Sequence, residues 1–272
     1  MIVKDVIIPY KQSHSRRRLY CFGDIHLGTI FCAESEAKKQ VKTIADDEDA
    51  LWVGMGDYGE YITPDDPRWD PSSKLVAKWI DQDNIAHDIE NRVANLFYPI
   101  KDKCVGLMYG NHENSYRKHK FGNVHKNIRE KLEVDDLGYV CVVKFKFHRD
   151  NSAEKHEIIG AFTHGASGAI TQQGKINALK RFMSYFPEAD FYGYGHTHTI
   201  DSTESISLSV LDNNQVKDKI RHGVLTGCYF KTYGISEIGS YGESKLYPPT
   251  RIGCPSFTLN PVTQEAEPDI LS

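Results

Sequence analysis

Leu19-Tyr20-Cys21-Phe22-Gly23-Asp24-Ile25-His26 runs from apolar residues through a glycine to two side chains that can bind a metal or move a proton. The apolar part is short and reads as a buried strand that stops at Gly23-Asp24. The same pattern returns along the chain. Residues 50–55 stop at Gly56-Asp57, and residues 104–109 end at Gly110-Asn111-His112. Residues 156–163 end at His164-Gly165, and residues 189–194 end at Gly195-His196. Between these runs the apolar spacing is helical. It predicts a helix over 74–97 through Leu75, Trp79, Ile85, Ile89, Val93 and Leu96, ended by Pro99. Further helices are predicted over 124–132 and over 172–186, the latter stopped by Pro187. Residues 139–148 alternate and read as a strand. Strands alternating with helices give an α/β protein. From about residue 199 onward the chain is strand- and loop-rich, through 224–230 and 257–259. No repeat, low-complexity tract or linker interrupts it, so a single domain over 1–272 is the simplest reading.

Composition narrows the classes. A chain of 272 residues can bury a substantial core, and 40% hydrophobic with 26% charged residues describes an ordinary globular protein. A net charge of −4 supplies no overall positive field for holding nucleic acid non-specifically, although a local basic patch stays open. The cysteines Cys21, Cys32, Cys104, Cys141, Cys228 and Cys254 form no CxxC pair. They read as free thiols in a reducing compartment. No segment approaches the length of a membrane span and no cleavage site follows the short apolar run of residues 1–10, so a cytoplasmic location is expected. Arg16-Arg17-Arg18 reads as a solvated approach to the first strand.

Polar residues beyond strand ends are informative because ligands of open α/β sheets bind where the loops at the carboxyl ends converge. Glycine beside each one permits a tight turn and a close backbone approach. Singly, a Gly-Asp pair is a turn and a lone histidine is a hydrogen-bonded residue. Gly195-His196-Thr197-His198 says more, because alternate residues leave a strand on the same side.

Taken in order, Asp24-Ile25-His26, Gly56-Asp57, Gly110-Asn111-His112-Glu113, His164 and Gly195-His196-Thr197-His198 resemble the signature of the calcineurin-like metallophosphoesterase superfamily. The resemblance covers residues 19–200. It implies a four-layer α/β/β/α sandwich, two mixed β-sheets flanked by helices. It also implies two divalent metal ions: one on Asp24, His26, Asp57 and His198, the other on Asp57, Asn111, His164 and His196. Imidazole, carboxylate and amide ligands suit Mn²⁺ first, with Fe, Zn and Ni as alternatives, and the absence of thiolate argues against structural zinc. In the family a hydroxide held between the metals attacks phosphorus, and the position of His112 is the catalytic histidine that protonates the leaving oxygen. Glu113 is expected behind the ligands, orienting a histidine.

The chain departs from the protein-phosphatase branch of that superfamily. In Gly56-Asp57-Tyr58-Gly59-Glu60-Tyr61, Glu60 stands where a second Asp would be and no Arg-Gly follows. Tyr109, not Arg, precedes Gly110. A monoester dianion benefits from a guanidinium clamp, so a phosphodiester substrate is expected. Nucleic acid, a cyclic nucleotide and another small nucleotide all stay open. Candidate substrate contacts are Tyr58 and Tyr61, which could stack a base or pack their loop. Others are Arg117, in the basic run Arg117-Lys118-His119-Lys120, and Lys231 or Arg251 from the Gly-, Tyr- and Pro-rich stretches 227–231 and 241–255. The basic run is equally a solvated helix entry, and the stretches equally surface loops. The rival functions are a phosphomonoesterase, including a protein phosphatase, and a non-catalytic scaffold on the same fold. Every expected position, including His112, is present, which argues against the scaffold.

Overall fold

Short apolar runs pair into two six-stranded sheets, and helices cover their outer faces. The computed structural model describes residues 1–12, 14–64, 66, 69, 75–120, 122–210, 214–234 and 239–270. In chain order the elements begin with β1 (Ile2–Tyr10), β2 (Arg17–Phe22), α1 (Glu34–Asp46), β3 (Ala50–Gly54) and α2 (Ile85–Phe97). A 3₁₀ turn (Tyr98–Lys103) leads into β4 (Cys104–Met108), α3 (Asn111–Lys120), α4 (Val124–Leu132) and β5 (Asp136–Gly138). Then come β6 (Val140–Arg149), β7 (Lys155–Thr163), α5 (Gln172–Tyr185), β8 (Phe191–Tyr194), β9 (Ile200–Val210) and β10 (Val216–Thr226). The chain closes with α6 (Tyr241–Ser244), β11 (Ser256–Asn260) and β12 (Glu265–Asp269).

One sheet has the order β1-β6-β7-β8-β10-β9 and the other β12-β11-β2-β3-β4-β5. Both are mixed. In the first, β7, β8 and β10 run parallel while β6/β7 and β9/β10 are antiparallel. In the second, β2 to β5 are parallel and β11 is antiparallel to β2. Period-two patterning sets which face goes inward. β6 buries Cys141, Val143, Phe145 and Phe147 and leaves the alternate residues half-buried. The inner faces meet in a core containing Val53, Val105, Phe145, Phe162, Phe191 and Phe257. On the other face of the β2–β5 sheet, Trp52 and Phe22 pack with Ile44 of α1, Val93 and Phe97 of α2 and Ile128 of α4. On the far side, Leu179, Phe182 and Met183 of α5 cover Ala161, Tyr192 and Leu225. The layers are therefore helix, sheet, sheet, helix, as the resemblance implies.

The helix expected over 74–97 is shorter. Residue 74 lies outside the described residues, and regular helix starts only at Ile85. The reason is local polar competition. The Asp81 carboxylate accepts from the Asp83 N–H at 3.1 Å and from Asn84 Nδ2 at 2.9 Å, while Asp88 accepts from the Asp81 N–H at 2.8 Å. These bonds hold 81–84 as turns, and Val76 bridges to Thr29 instead of joining the helix. The strand expected over 224–230 ends at Thr226. Among the described residues, no helix is long and apolar enough to cross a membrane.

Candidate metal centre

The carboxyl ends of neighbouring parallel strands in both sheets deliver the polar residues to one place. Loops after β2 and β3 carry Asp24 and His26, and Asp57, and the first turn of α3 beyond β4 carries Asn111 and His112. Loops after β7 and β8 carry His164, and His196 and His198. Asp24, His26, Asp57, His196 and His198 all sit in left-handed backbone, with φ of 48°, 55°, 51°, 66° and 52°. Non-glycine residues there cost about 1–3 kcal/mol each and persist where surrounding structure over-determines them, which marks functional sites. Two glycines make the close approach possible. A Cβ on Gly110 would lie 2.1 Å from Asp57 Oδ1, and one on Gly56 would lie 2.8 Å from His164 Nδ1.

Asp24, His26 and His198 form one group able to hold a metal ion, and Asp57, His164 and His196 another, the ligand atoms in each within 4.8 Å of one another. A third such group joins His26, Glu60 and His112. His26 Nε2 lies 3.0 Å from His198 Nε2, which is 3.5 Å from Asp24 Oδ1. His164 Nε2 lies 3.0 Å from Asn111 Oδ1 and 3.2 Å from Asp57 Oδ2. Asp24 Oδ1 and His196 Nδ1 are buried and have no hydrogen-bond partner among the described residues. Buried polar atoms left unsatisfied are costly. Converging imidazoles, buried carboxylates and orphaned ligand atoms fit divalent cations, and the donor set matches borderline and hard metals.

The ligand candidates are held from behind. His26 Nδ1 donates to Glu60 Oε2 at 2.7 Å, and His164 Nδ1 donates to the Met55 carbonyl at 2.8 Å. Each bond puts a proton on Nδ1 and turns Nε2 toward the cluster. His112 Nδ1 donates to the Glu60 carbonyl at 2.9 Å, and the His112 backbone N–H donates to Asp57 Oδ1 at 2.9 Å. Phe230 closes one side, its ring centroid 5.4 Å from that of His26 and 5.9 Å from that of His198.

Burial alone would lower the imidazole pKa values, yet the Glu60 carboxylate raises His26 to about 9 and Asp57 raises His164 to about 10. Burial and the neighbouring His164 charge take His196 down to about 4, and burial also lowers His198. Burial would raise Asp57, but His164 and His112 hold it well below the carboxylate range. The cluster without metal therefore contains protonated and neutral imidazoles side by side.

Several expected contacts fall elsewhere. Glu113 orients no histidine. Its carboxylate accepts from the backbone N–H groups of Asp57 at 3.0 Å, Tyr58 at 2.8 Å and Gly110 at 2.8 Å, clamping the loops after β3 and β4. Tyr58 does not reach the cavity in front of the cluster. It is fully buried, its hydroxyl donates to the Met108 carbonyl, and its ring packs edge-on to Phe97. Residue 58 follows a ligand candidate and so faces away from it. Arg117 is exposed and bonded to Asn114, and Lys118 and His119 of the same run are exposed too. Arg251 is exposed and donates to the Ile270 carbonyl. Arg117, Lys231 and Arg251 do not line the cavity in front of the cluster, whereas Tyr61 does.

That cavity has a volume of about 410 Å³. His26, Asp57, Asn111, His112, His196 and His198 form its polar wall. Sequence reasoning missed Lys175 and Phe230, which also line it, and the role of the Glu60 side chain. Lys175 is buried on α5 and donates to Thr199 Oγ1 at 2.7 Å. Gly242, Tyr247, Pro248 and Thr250 of the Gly-, Tyr- and Pro-rich stretch border the cavity. The only sequence signal for Glu60 was its place three residues after Asp57, and Lys175 left none.

Fold and site together define an α/β/β/α sandwich with an Asp- and His-rich cluster at the carboxyl ends of parallel strands. No family model matches the chain, and no curated protein matches it. Among solved structures, the NAD nucleotidase (NadN) of Haemophilus influenzae is similar over 94% of this chain and 49% of that chain, with a TM-score of 0.41 and 10% identity. This chain thus spans about half the length of that nucleotidase. A hypothetical protein from Thermus thermophilus is similar over 94% of this chain and 98% of that one, with a TM-score of 0.36 and 11% identity. Likenesses of this degree leave function to be read from the site itself.

Proposed function

We propose that this protein is a metal-dependent phosphoesterase that hydrolyses phosphodiesters. The observation that carries the reading is the convergence of Asp24, His26, Asp57, Asn111, His164, His196 and His198 beside one cavity, with a carboxylate oxygen and a ring nitrogen buried without a hydrogen-bond partner among the described residues. Asp24, His26, Asp57 and His198 would hold one divalent cation, and Asp57, Asn111, His164 and His196 a second, Mn²⁺ being the first choice among Mn, Fe, Zn and Ni. Bound there, such cations supply Lewis acidity toward a phosphoryl oxygen and lower the pKa of water.

The side chains do the remaining work. His112 keeps one proton on Nδ1 through the Glu60 carbonyl, so Nε2 is the atom that exchanges a proton with the leaving oxygen. The Glu60 carboxylate lies 3.9 Å from the same His112 Nδ1. Phe230 packs against the His26 and His198 rings and fixes that side of the cluster. Lys175 is the only Lys or Arg among the described lining residues, and it is engaged with Thr199. A dianionic monoester lacks a guanidinium clamp there, which favours a diester.

The test is Mn²⁺-dependent hydrolysis of bis-p-nitrophenyl phosphate beside p-nitrophenyl phosphate and a phosphopeptide. His112→Ala and Asp57→Asn serve as controls. Diester cleavage lost in both variants supports the reading. Preference for the monoesters would return the phosphomonoesterase, and no cleavage by folded, metal-loaded protein would return the binding role.

A further inference from the structure

Besides the polar residues, the cavity is lined by Phe31, Tyr61, Val76, Ile80, Ile85 and Ile89. This apolar arm is built into the fold. The Ile30 N–H donates to the Leu75 carbonyl at 3.0 Å, and the Ala77 N–H donates to the Gly28 carbonyl at 2.9 Å. Together with the Thr29–Val76 bridge, these bonds tie residues 75–77 to the segment that directly follows His26. Gly28, at φ +107°, lets α2 close against it, since a Cβ there would lie 2.7 Å from Ile89 Cδ1. The arm also carries one unmet polar atom. Tyr61 is 4% exposed, and its hydroxyl has no hydrogen-bond partner among the described residues. That oxygen is closed off from solvent, so Tyr61 adds to the apolar lining.

We infer that the substrate is a small phosphodiester with one apolar substituent seated in this arm. The inference rests on the phosphodiesterase reading above and narrows it. Volume supports it, because about 410 Å³ is the size of a small-molecule pocket rather than a channel for a polymer. Charge supports it as well. A nucleic-acid backbone is held by several Lys or Arg side chains, and among the described lining residues Lys175 is alone. Exposed Arg117 and Lys118 lie away from the cavity.

The test uses the full-length, Mn²⁺-loaded protein and bis-p-nitrophenyl phosphate turnover. Dimethyl, diethyl, dipropyl and dibutyl phosphate serve as competitive inhibitors, with oligothymidylate beside them. Because these inhibitors are symmetrical, either chain can enter the arm. Ki is expected to fall roughly fourfold for each methylene buried per chain until the arm is filled. In Ile80→Asn, at a half-buried position, that dependence should flatten. Oligothymidylate should inhibit no better than dimethyl phosphate. Turnover with a Ki independent of chain length, or stronger inhibition by oligothymidylate, would overturn this inference and leave the phosphodiesterase reading standing. No turnover of any diester would overturn both.

Discussion

The two walls of the cavity are made in different ways. The polar wall is assembled from the segments that follow five strands, where most candidate ligands stand within three residues of a glycine and five of them have positive φ. The apolar wall comes from residues 75–80, the first turns of α2 and the loop carrying Phe31, and depends on backbone bonds between segments far apart in sequence. Chemistry is thus encoded locally, beside the strands that deliver it, while the shape of the site is encoded in long-range closure. Substitutions on the polar wall should remove activity and leave the fold, whereas substitutions on the apolar wall should change which esters bind.

Asp57→Asn should have the largest effect. It touches His164 and the His112 backbone, and in the proposed function both metal ions would share it. Steady-state kinetics should show kcat/KM reduced by more than about 10³, beyond the loss of a single transition-state hydrogen bond. A near-native circular dichroism spectrum should accompany that loss. An active Asp57→Asn would break the division between the walls. His112→Ala should lower kcat by about 10²–10⁴ while metal content stays unchanged, as expected for a proton donor rather than a ligand. Loss of metal from His112→Ala would move it into the ligand set. Glu60→Gln comes next. It weakens the support behind His26, and metal affinity or activity should fall about 10–100-fold.

The smallest expected effect is a pH dependence confined to the polar wall. In metal-free protein, His26 and His164 titrate near 9 and 10, above the ordinary imidazole value of about 6.5. Their protonated forms stabilise the fold fully below about pH 6.5, and this contribution is lost as pH rises through the folded values. A metal must displace those protons, so its affinity rises with pH over the same range. The increase in Tm caused by Mn²⁺ should therefore be larger at pH 8 than at pH 6. An equal increase at both would mean that the metal does not bind through these imidazoles.

The same division governs what could be read from the sequence. β2, β3, β4, β7 and β8 are legible because each is a short buried run closed by glycine or a polar residue, and the resemblance carried over the ligand candidates beside them. β1 was not read as a strand, since it is half or fully exposed at alternate positions and buries only Ile8 and Tyr10. Leu75 and Trp79 kept helical spacing with Ile85 and Ile89, but Asp81 and Asp88 divert the backbone hydrogen bonds, so residues 75–80 became cavity wall. Glu60 acts on His26 across 34 positions and Lys175 on Thr199 across 24, distances at which no local pattern signals a partner. Tyr58 was misread because adjacency to Asp57 in sequence places it on the opposite side of the loop, inside the core.

In the proposed function, the polar wall holds two metal ions that share Asp57. Calorimetric titration of Mn²⁺ into metal-free protein, with bound metal counted after desalting, tests it most directly. The account expects two ions per chain in the unaltered protein and weakened binding at both sites in Asp57→Asn. No saturable binding, or unchanged affinity and stoichiometry in Asp57→Asn, would contradict it.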